Sequence, residues 1–194
     1  MKKVAVVFAN GCEEVEGLSV VDVLRRLSIP TDMVGLTSPK ITGDHQIQLI
    51  CDKVVDDSLL NYDLVAFPGG KIGAENLRDN KKLRDLMVKR HEEGKWNAAM
   101  CAAPIALARY GILDNADYTC YPGFDKQTKQ DAPTGKFKET ITVTDTKHKL
   151  ITSRGPATAW AYAYAIAEAL GVETKELKQG MLYNYLADNI QASL

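Results

Sequence analysis

The sequence predicts an α/β fold in which one mostly parallel sheet is covered by helices on both faces. Short β-branched runs alternate with segments of helical periodicity along most of the chain, which is the pattern of a parallel sheet buried on both sides. The 194 residues contain no low-complexity stretch and no Ser/Gly/Pro-rich linker. This length suffices for one hydrophobic core, so we expect a single domain over residues 1–194.

The elements of the first half follow from the hydrophobic pattern. Residues 4–9 form a short apolar run typical of a strand buried on both faces. Apolar residues then recur every three positions from Leu18 to Leu27, which predicts the first helix. Another helix is expected around residues 83–87, with Gly94 as its cap. Further strands are predicted over residues 32–37, 62–67 and 96–100, with an edge hairpin over 46–52.

The pattern changes in the second half of the chain. Residues 114–153 show two-residue alternation interrupted by turn signals, which predicts a meander or an added hairpin. Its strands are expected over residues 118–121, 141–146 and 149–153. Pro156 suits the first position of the next helix, and residues 173–186 are predicted as a last helix. The core face of the helix after Pro156 is expected to contain Trp160, Ala163, Ala167 and Leu170.

Composition excludes several functional classes. With 24 basic and 25 acidic residues the formal charge is −1, so nothing favours a nucleic-acid or anionic-membrane partner. The apolar run at residues 4–9 is too short for a signal sequence or a membrane span, and we expect a cytoplasmic protein. The three histidines are scattered, and the cysteines lack paired spacing. We therefore expect no metal, no cofactor, and free thiols at Cys12, Cys51, Cys101 and Cys120.

Cys101 is the first candidate for chemistry. It ends the apolar strand of residues 96–100 and is followed at once by a helix-like segment that begins near Pro104. A thiol at such a strand-to-helix elbow lies beside free backbone N–H groups, which favour the thiolate. On its own this pattern is weak, because free cysteines more often fill space in a core. The neighbouring strand ends therefore decide between the two interpretations.

Three strand ends are expected to meet at one edge of the sheet. In an open α/β sheet, ligands bind beyond the carboxyl ends of the strands, where the strand order reverses. Residues 9–16 bring carboxylates to this edge, residues 67–70 bring glycine N–H groups, and residues 100–102 bring the thiol. A carboxylic acid within reach of a cysteine stabilises the thiolate or moves a proton to substrate.

Glu16 is the preferred acid because it opens the first helix and can point back over the sheet edge. The alternative for Glu16 is a glutamate that only complements the helix dipole. Glu13 and Glu14 are expected to be solvated loop charges, although either replaces Glu16 if the helix begins later. Taken alone, Gly69 and Gly70 indicate a turn, and Arg154 a surface charge.

Together, in this order and spacing, the segments resemble the DJ-1/ThiJ/PfpI superfamily, and within it the DJ-1 group with its YajL-like bacterial members. The similarity runs along almost the whole chain. It is carried by residues 13–16 with 21–26, 67–70 with 73–77, 98–104 and 150–158.

The resemblance implies a flavodoxin-like three-layer sandwich and a homodimer, with Cys51 near the dimer interface. It makes Cys101 a reactive, oxidation-prone cysteine in a strained elbow, and Glu16 a protonated acid hydrogen-bonded to it. Gly70 and Ala102 are implied to supply oxyanion-binding N–H groups. The pocket is expected to include Glu14, Gly69, Tyr121 and Arg154.

One position departs from the DJ-1 pattern. Tyr121, before Pro122, occupies the place of a histidine in DJ-1 itself, so a Cys–His dyad is not available there. We expect the Tyr121 ring to pack rather than to donate a hydrogen bond. PfpI-type proteases carry a histidine directly after the nucleophile, and this chain has Ala102 there. Peptidase activity is therefore not expected.

The resemblance implies two functions that the residues do not separate. One is a slow, cofactor-independent enzyme that acts on reactive dicarbonyls such as methylglyoxal, or on glycated groups, through Cys101 and Glu16. The other is a redox sensor or stress-protective chaperone in which Cys101 is oxidised. We also expect Cys12 and Cys101 to lie near enough to form a disulfide under oxidative stress.

Overall fold

The computed structural model describes residues 2–193, and most of these residues form strands and helices. The strands are β1 (Val4–Phe8), β2 (Thr31–Gly35), β3 (Lys40–Thr42), β4 (Gln48–Ile50), β5 (Lys53–Val54), β6 (Leu64–Phe67), β7 (Trp96–Met100), β8 (Asp117–Tyr118), β9 (Lys136–Phe137), β10 (Thr142–Asp145) and β11 (Leu150–Ser153). The α-helices are α1 (Glu14–Arg26), α2 (Lys71–Asp79), α3 (Lys81–Glu92), α4 (Pro104–Arg109), α5 (Phe124–Asp131), α6 (Ala159–Ala169), α7 (Lys175–Gly180) and α8 (Tyr183–Ser193).

Seven strands form the central sheet in the order β10-β11-β7-β6-β1-β2-β5. All neighbouring pairs are parallel except β10 with β11, which form an antiparallel hairpin at one edge. Every side chain of β1 is buried, and successive side chains point to opposite faces, so both faces of the sheet are covered. These observations confirm the predicted α/β fold with its mostly parallel sheet and added hairpin.

The strand order places three carboxyl ends side by side. From β1 the chain builds outward through β2 and β5, and later returns to build outward through β6, β7 and β11 on the other side. The winding direction therefore reverses between β1 and β6, which is the place where open α/β sheets bind ligands. The predicted meeting of the ends of β1, β6 and β7 is confirmed.

Several elements differ from the sequence prediction. The hairpin expected over 46–52 is the pair β3–β4, which begins at Lys40 and forms its own two-stranded sheet. The strand expected over 118–121 is shortened to β8, which pairs in parallel with β9 rather than in a meander. Helices α2 and α5 were not predicted. The prediction of a single last helix was wrong. The helix is interrupted at Leu182, where φ is +58°, and the segment forms α7 and α8 instead.

The predicted core face after Pro156 was partly wrong. Ala163 and Ala167 are buried, but Trp160 is 44% exposed. The buried face of α6 instead includes Tyr162 and Ile166, at helical spacing from Ala159. Across residues 2–193, no helix is both long enough and apolar enough to span a bilayer.

Candidate active site

Cys101 lies in the elbow between β7 and α4 with a left-handed backbone, φ +58°. This conformation is strained for a residue with a Cβ. Two hydrogen bonds hold it: the Cys101 N–H donates to the Ser153 carbonyl at 3.0 Å, and the Tyr121 N–H donates to the Cys101 carbonyl at 2.9 Å. Only 8% of the residue is exposed. Strand β11 and the segment after β8 therefore fix the backbone of Cys101 from two sides.

Backbone N–H groups surround the Cys101 sulfur. Those of Gly70 and Ala102 make hydrogen bonds to the thiol, and both bonds lower its pKa. Gly70 reaches this position with φ +80° at the start of α2, and Ala102 follows the thiol directly. The structure thus brings together the two N–H groups that the family resemblance implied.

Glu16 lies in the first turn of α1 with no exposed surface. Its Oε2 accepts a 2.7 Å hydrogen bond from the Gly69 N–H. Its Oε1 is buried and has no hydrogen-bond partner of ordinary geometry among residues 2–193. Burial raises the pKa of Glu16 to about 7, although the Cys101 thiol and the Gly69 N–H oppose this rise. A carboxyl in this state exchanges a proton near neutral pH.

The pKa of Cys101 is raised, so the expectation that the elbow keeps this residue as a thiolate was wrong. Burial is the main cause, and the Glu16 carboxylate adds to it; together they outweigh the N–H groups of Gly70 and Ala102. Two buried acids in contact titrate as a pair. When the pair has lost one of its two protons, the Cys101 thiolate is therefore the form in which Glu16 keeps the other proton.

The carboxylate of Glu14 lies outside this cluster, which corrects two expectations. Glu14 is buried rather than solvated. It accepts hydrogen bonds from the His45 N–H at 2.9 Å and the Ile47 N–H at 3.4 Å, and its Oε2 lies 3.0 Å from His45 Nδ1. Although burial opposes ionisation, these bonds lower the pKa of Glu14. Glu14 thus ties the β3–β4 hairpin to α1 instead of reaching the Cys101 pocket.

Potential metal ligands gather at one place among the described residues. Ligand atoms of Glu13, Asp44 and His45 lie within 4.8 Å of one another. Asp44 and His45 are exposed, and the His45 ring is already engaged by Glu14. Neither Cys101 nor Glu16 belongs to this group, so these ligand atoms would not place a metal ion on the thiol.

Tyr121 and Arg154 flank the elbow. A Cβ on Gly155 would lie 3.1 Å from the Tyr121 ring, which also meets Phe124 edge-on at 6.5 Å. Tyr121 is nevertheless 44% exposed, so its packing role stays a prediction. Arg154 follows Ser153, whose carbonyl holds Cys101. Its guanidinium contacts the Glu139 carboxylate at 3.5 Å, and its Nη1 is buried without a partner within residues 2–193.

The other three cysteines, Cys12, Cys51 and Cys120, are also free and buried. Cys12 is fully buried, and burial, Glu14 and Cys51 raise its pKa to about 12. Cys12 packs against Gly70 and Gly73, whereas the Cys101 Cβ packs against Gly69. The disulfide between Cys12 and Cys101 stays a prediction, and the burial of Cys12 disfavours it.

Sequence reasoning missed Tyr162. Its side chain is buried in α6, and its hydroxyl, like Glu16 Oε1, has no partner of ordinary geometry in the described part of the chain. Burial raises the pKa of Tyr162 well above its ordinary value, with Glu16 as the next cause. The signal was present in the helical spacing that groups Tyr162 with Ala159 and Ile166, but Trp160 was assigned to the core face instead.

Comparison with known proteins agrees with this geometry. The sequence profile of the DJ-1/PfpI family matches residues 2–169. The chain belongs to the DJ-1/PfpI family. It is 32% identical over 191 residues to Protein dj-1beta of Drosophila melanogaster, covering 95% of this chain and 98% of that protein.

Two further DJ-1/PfpI relatives differ in length or identity. Protein DJ-1 homolog B of Arabidopsis thaliana is 31% identical over 172 residues, which are 87% of this chain but only 38% of that longer protein. The protein named glutathione-independent glyoxalase DJ-1 of Schizosaccharomyces pombe is 24% identical over 185 residues, covering 90% of this chain and 94% of that protein.

Solved DJ-1 structures share the fold. The crystal structure of Drosophila melanogaster DJ-1beta superposes with a TM-score of 0.85 at 32% identity, over 94% of this chain and 98% of that one. Oxidized Toxoplasma gondii DJ-1 gives a TM-score of 0.80 at 29% identity, over 96% and 98% of the two chains.

Proposed function

We propose that this DJ-1/PfpI protein is a cofactor-independent, cysteine-dependent enzyme that converts reactive dicarbonyls such as methylglyoxal, or their adducts, to hydroxy acids. The observation that carries the proposal is the assembly at the elbow: a thiol in a left-handed turn, two N–H groups at its sulfur, and a buried acid with a pKa near 7. The glyoxalase relative from S. pombe supports the reaction class.

The reaction begins at the aldehyde carbon. The Cys101 thiolate adds to this carbon, the N–H groups of Gly70 and Ala102 stabilise the oxygen that becomes negative, and a proton completes a hemithioacetal. Glu16 then takes the proton from the former aldehyde carbon and returns it to the adjacent carbon. The electrons shift accordingly, and the product is a lactoyl thioester on Cys101. Water hydrolyses the thioester, which releases lactate and restores the thiol.

Two features predict a slow enzyme. Cys101 is only 8% exposed, so little of the residue is accessible to substrate. Tyr121 occupies the position where DJ-1 itself carries a histidine, so no second base is provided there. Glu16 alone therefore moves the protons of every step.

A redox-sensing, stress-protective role is the second candidate. A peroxide oxidises the Cys101 thiolate to the sulfenate and itself becomes water, and a second peroxide yields the sulfinate. The N–H groups of Gly70 and Ala102, with protonated Glu16, are donors to the added oxygens. The oxidized form of the Toxoplasma gondii relative favours this candidate. A reducing, cytoplasmic location would keep the thiol available to the oxidant.

We also propose that the chain forms a homodimer through the β3–β4 hairpin and the start of α1. Val15, Ile47 and Ile50 expose large apolar side chains there, and Glu14 holds the hairpin against α1. An Ile50→Glu variant should be monomeric by light scattering at concentrations where the parent is a dimer. A monomeric parent would refute the assembly.

Lactate formation from methylglyoxal by the purified protein tests the leading proposal. The parent, Cys101→Ser, Glu16→Gln and the control Cys51→Ser are compared, since Cys51 is a buried thiol outside the elbow. We expect lactate from the parent and Cys51→Ser, and none above the buffer blank from the other two. A parent that equals the blank, while mild peroxide adds oxygen mass only at Cys101, establishes the redox candidate instead.

A further inference from the structure

Tyr162 and Glu16 each bury an unpaired polar oxygen. The hydroxyl of Tyr162 and Oε1 of Glu16 both lack partners of ordinary geometry among the described residues. Native structures seldom leave such groups unsatisfied, so each calls for an explanation. The two residues lie on α6 and α1, which pack along each other.

Both side chains also reach the same end of β6. Oε2 of Glu16 accepts from the Gly69 N–H, and the backbone of Phe67, two residues earlier, donates a hydrogen bond to the Tyr162 hydroxyl oxygen. The charge state of Glu16 acts on the hydroxyl of Tyr162, which places the two groups in one electrostatic environment. Because the Phe67 backbone uses the Tyr162 oxygen as an acceptor, the O–H proton of Tyr162 remains to be donated.

We propose that Tyr162 is a positioning residue for Glu16: its hydroxyl donates to one bridging water, which in turn donates to Oε1 of Glu16. The inference rests on the proposed function, because it concerns the acid of the same site. The water gives Oε1 of Glu16 a donor and the O–H of Tyr162 an acceptor. Tyr162 touches neither substrate nor the Cys101 sulfur in this scheme and acts only through Glu16.

A donor to Oε1 stabilises the carboxylate and opposes the effect of burial on Glu16. Among the described residues, four groups act on Glu16 or are acted on by it: the Cys101 thiol in the elbow, Glu13 just before α1, the Gly69 N–H just after β6 and Tyr162 on α6. Removing the Tyr162 hydroxyl leaves the carboxylate less stabilised. Glu16 then keeps its proton to higher pH, and a larger share of the pair carries its charge on Cys101.

The rate of Cys101 alkylation by iodoacetamide between pH 5 and 9 tests this inference. In Tyr162→Phe we expect the inflection to rise by about half to one pH unit and the plateau rate to increase about three- to tenfold. Tyr164→Phe is the matched control, because Tyr164 lies on the same helix and its hydroxyl donates to Met181 Sδ at 3.3 Å. In the control the profile should match the parent.

Two outcomes would overturn the inference: an unchanged inflection in Tyr162→Phe, or an equal shift in Tyr164→Phe. In a Glu16→Gln background, Tyr162→Phe should no longer alter the profile. A carboxyl ¹³C titration of Glu16, assigned by its loss in Glu16→Gln, gives a second readout that needs no reactive thiol. If Cys101 proves unreactive in every variant, the proposed function fails, and this titration still decides the role of Tyr162.

Discussion

The Gly69 N–H donates a 2.7 Å hydrogen bond to Oε2 of Glu16 and so joins the end of β6 to the first turn of α1. A Cβ at residue 69 would lie 2.6 Å from the Cβ of Cys101, 2.8 Å from Oε2 of Glu16 and 3.0 Å from the N atom of Ala102. The absence of a side chain at Gly69 therefore allows the acid, the thiol and the strand end to meet.

Gly69→Ala is expected to separate these groups. The added methyl group meets backbone as well as side-chain atoms, so relief requires a shift of the elbow itself. We expect a loss of about 1–3 kcal/mol in the free energy of unfolding, as for overpacking elsewhere. Alkylation of Cys101 at pH 7.5 should change at least tenfold, measured by mass spectrometry alongside urea unfolding.

Gly94→Ala provides the control for this prediction. Gly94 has φ +69°, and nothing lies within 4 Å of a Cβ built there. Only backbone strain of about 1–2 kcal/mol is expected, with unchanged alkylation of Cys101. If the two variants behave alike, close packing at Gly69 does not set the geometry of the site.

The fold was predictable where burial follows a simple pattern. β7 was placed at residues 96–100 because its apolar run has the length of a buried strand. α2 was missed because its buried face consists of Gly73, Ala74 and Leu77, which give a weak helical signal. The interruption of the last helix was also missed: Gly180 ends α7, but φ +58° at Leu182 is unusual for leucine and gives no sequence signal.

The site was predictable where the chemistry lies in local motifs. Cys101, Gly70 and Glu16 come from three strand ends that a parallel sheet must bring together. The role of Glu14 was not predictable, because its partners, His45 and Ile47, lie about thirty residues away on a hairpin. The raised pKa of Cys101 also depends on burial, which the order of residues does not specify.

Glu14→Gln is expected to loosen the β3–β4 hairpin. The charged carboxylate accepts two N–H bonds and the His45 ring while buried, so its loss should lower the free energy of unfolding at pH 7 by about 1–3 kcal/mol. Because the pKa of Glu14 is lowered, its stabilisation is present above pH 4.5 and is lost as the pH falls below that value.

Urea unfolding of the parent and Glu14→Gln at pH 7 and pH 3 measures this contribution. The difference between the two proteins should shrink at pH 3. Cys101 alkylation at pH 7.5 should stay within about twofold of the parent, since Glu14 does not contact the thiol pair. A difference that is the same at both pH values would show that the Glu14 charge does not hold the hairpin.

The stability of the protein should fall between pH 5 and pH 8 because of Glu16. Burial raises the pKa of this carboxyl from its ordinary 4.5 to about 7. The folded state therefore binds the proton more tightly than the unfolded chain. This contribution is fully present below pH 4.5 and is lost as the pH rises through 7, at a cost of up to about 3 kcal/mol. Glu16→Gln has no such proton to lose.

Urea unfolding of the parent and Glu16→Gln at intervals from pH 5 to pH 8 checks this expectation. The stability of Glu16→Gln relative to the parent should increase with pH over this range. His45, whose pKa is raised by Glu14, titrates in both proteins and so cancels in the difference. A constant difference from pH 5 to pH 8 would mean that Glu16 ionises in the folded protein as it does in water. Glu16 would then have no proton to offer Cys101 near neutral pH.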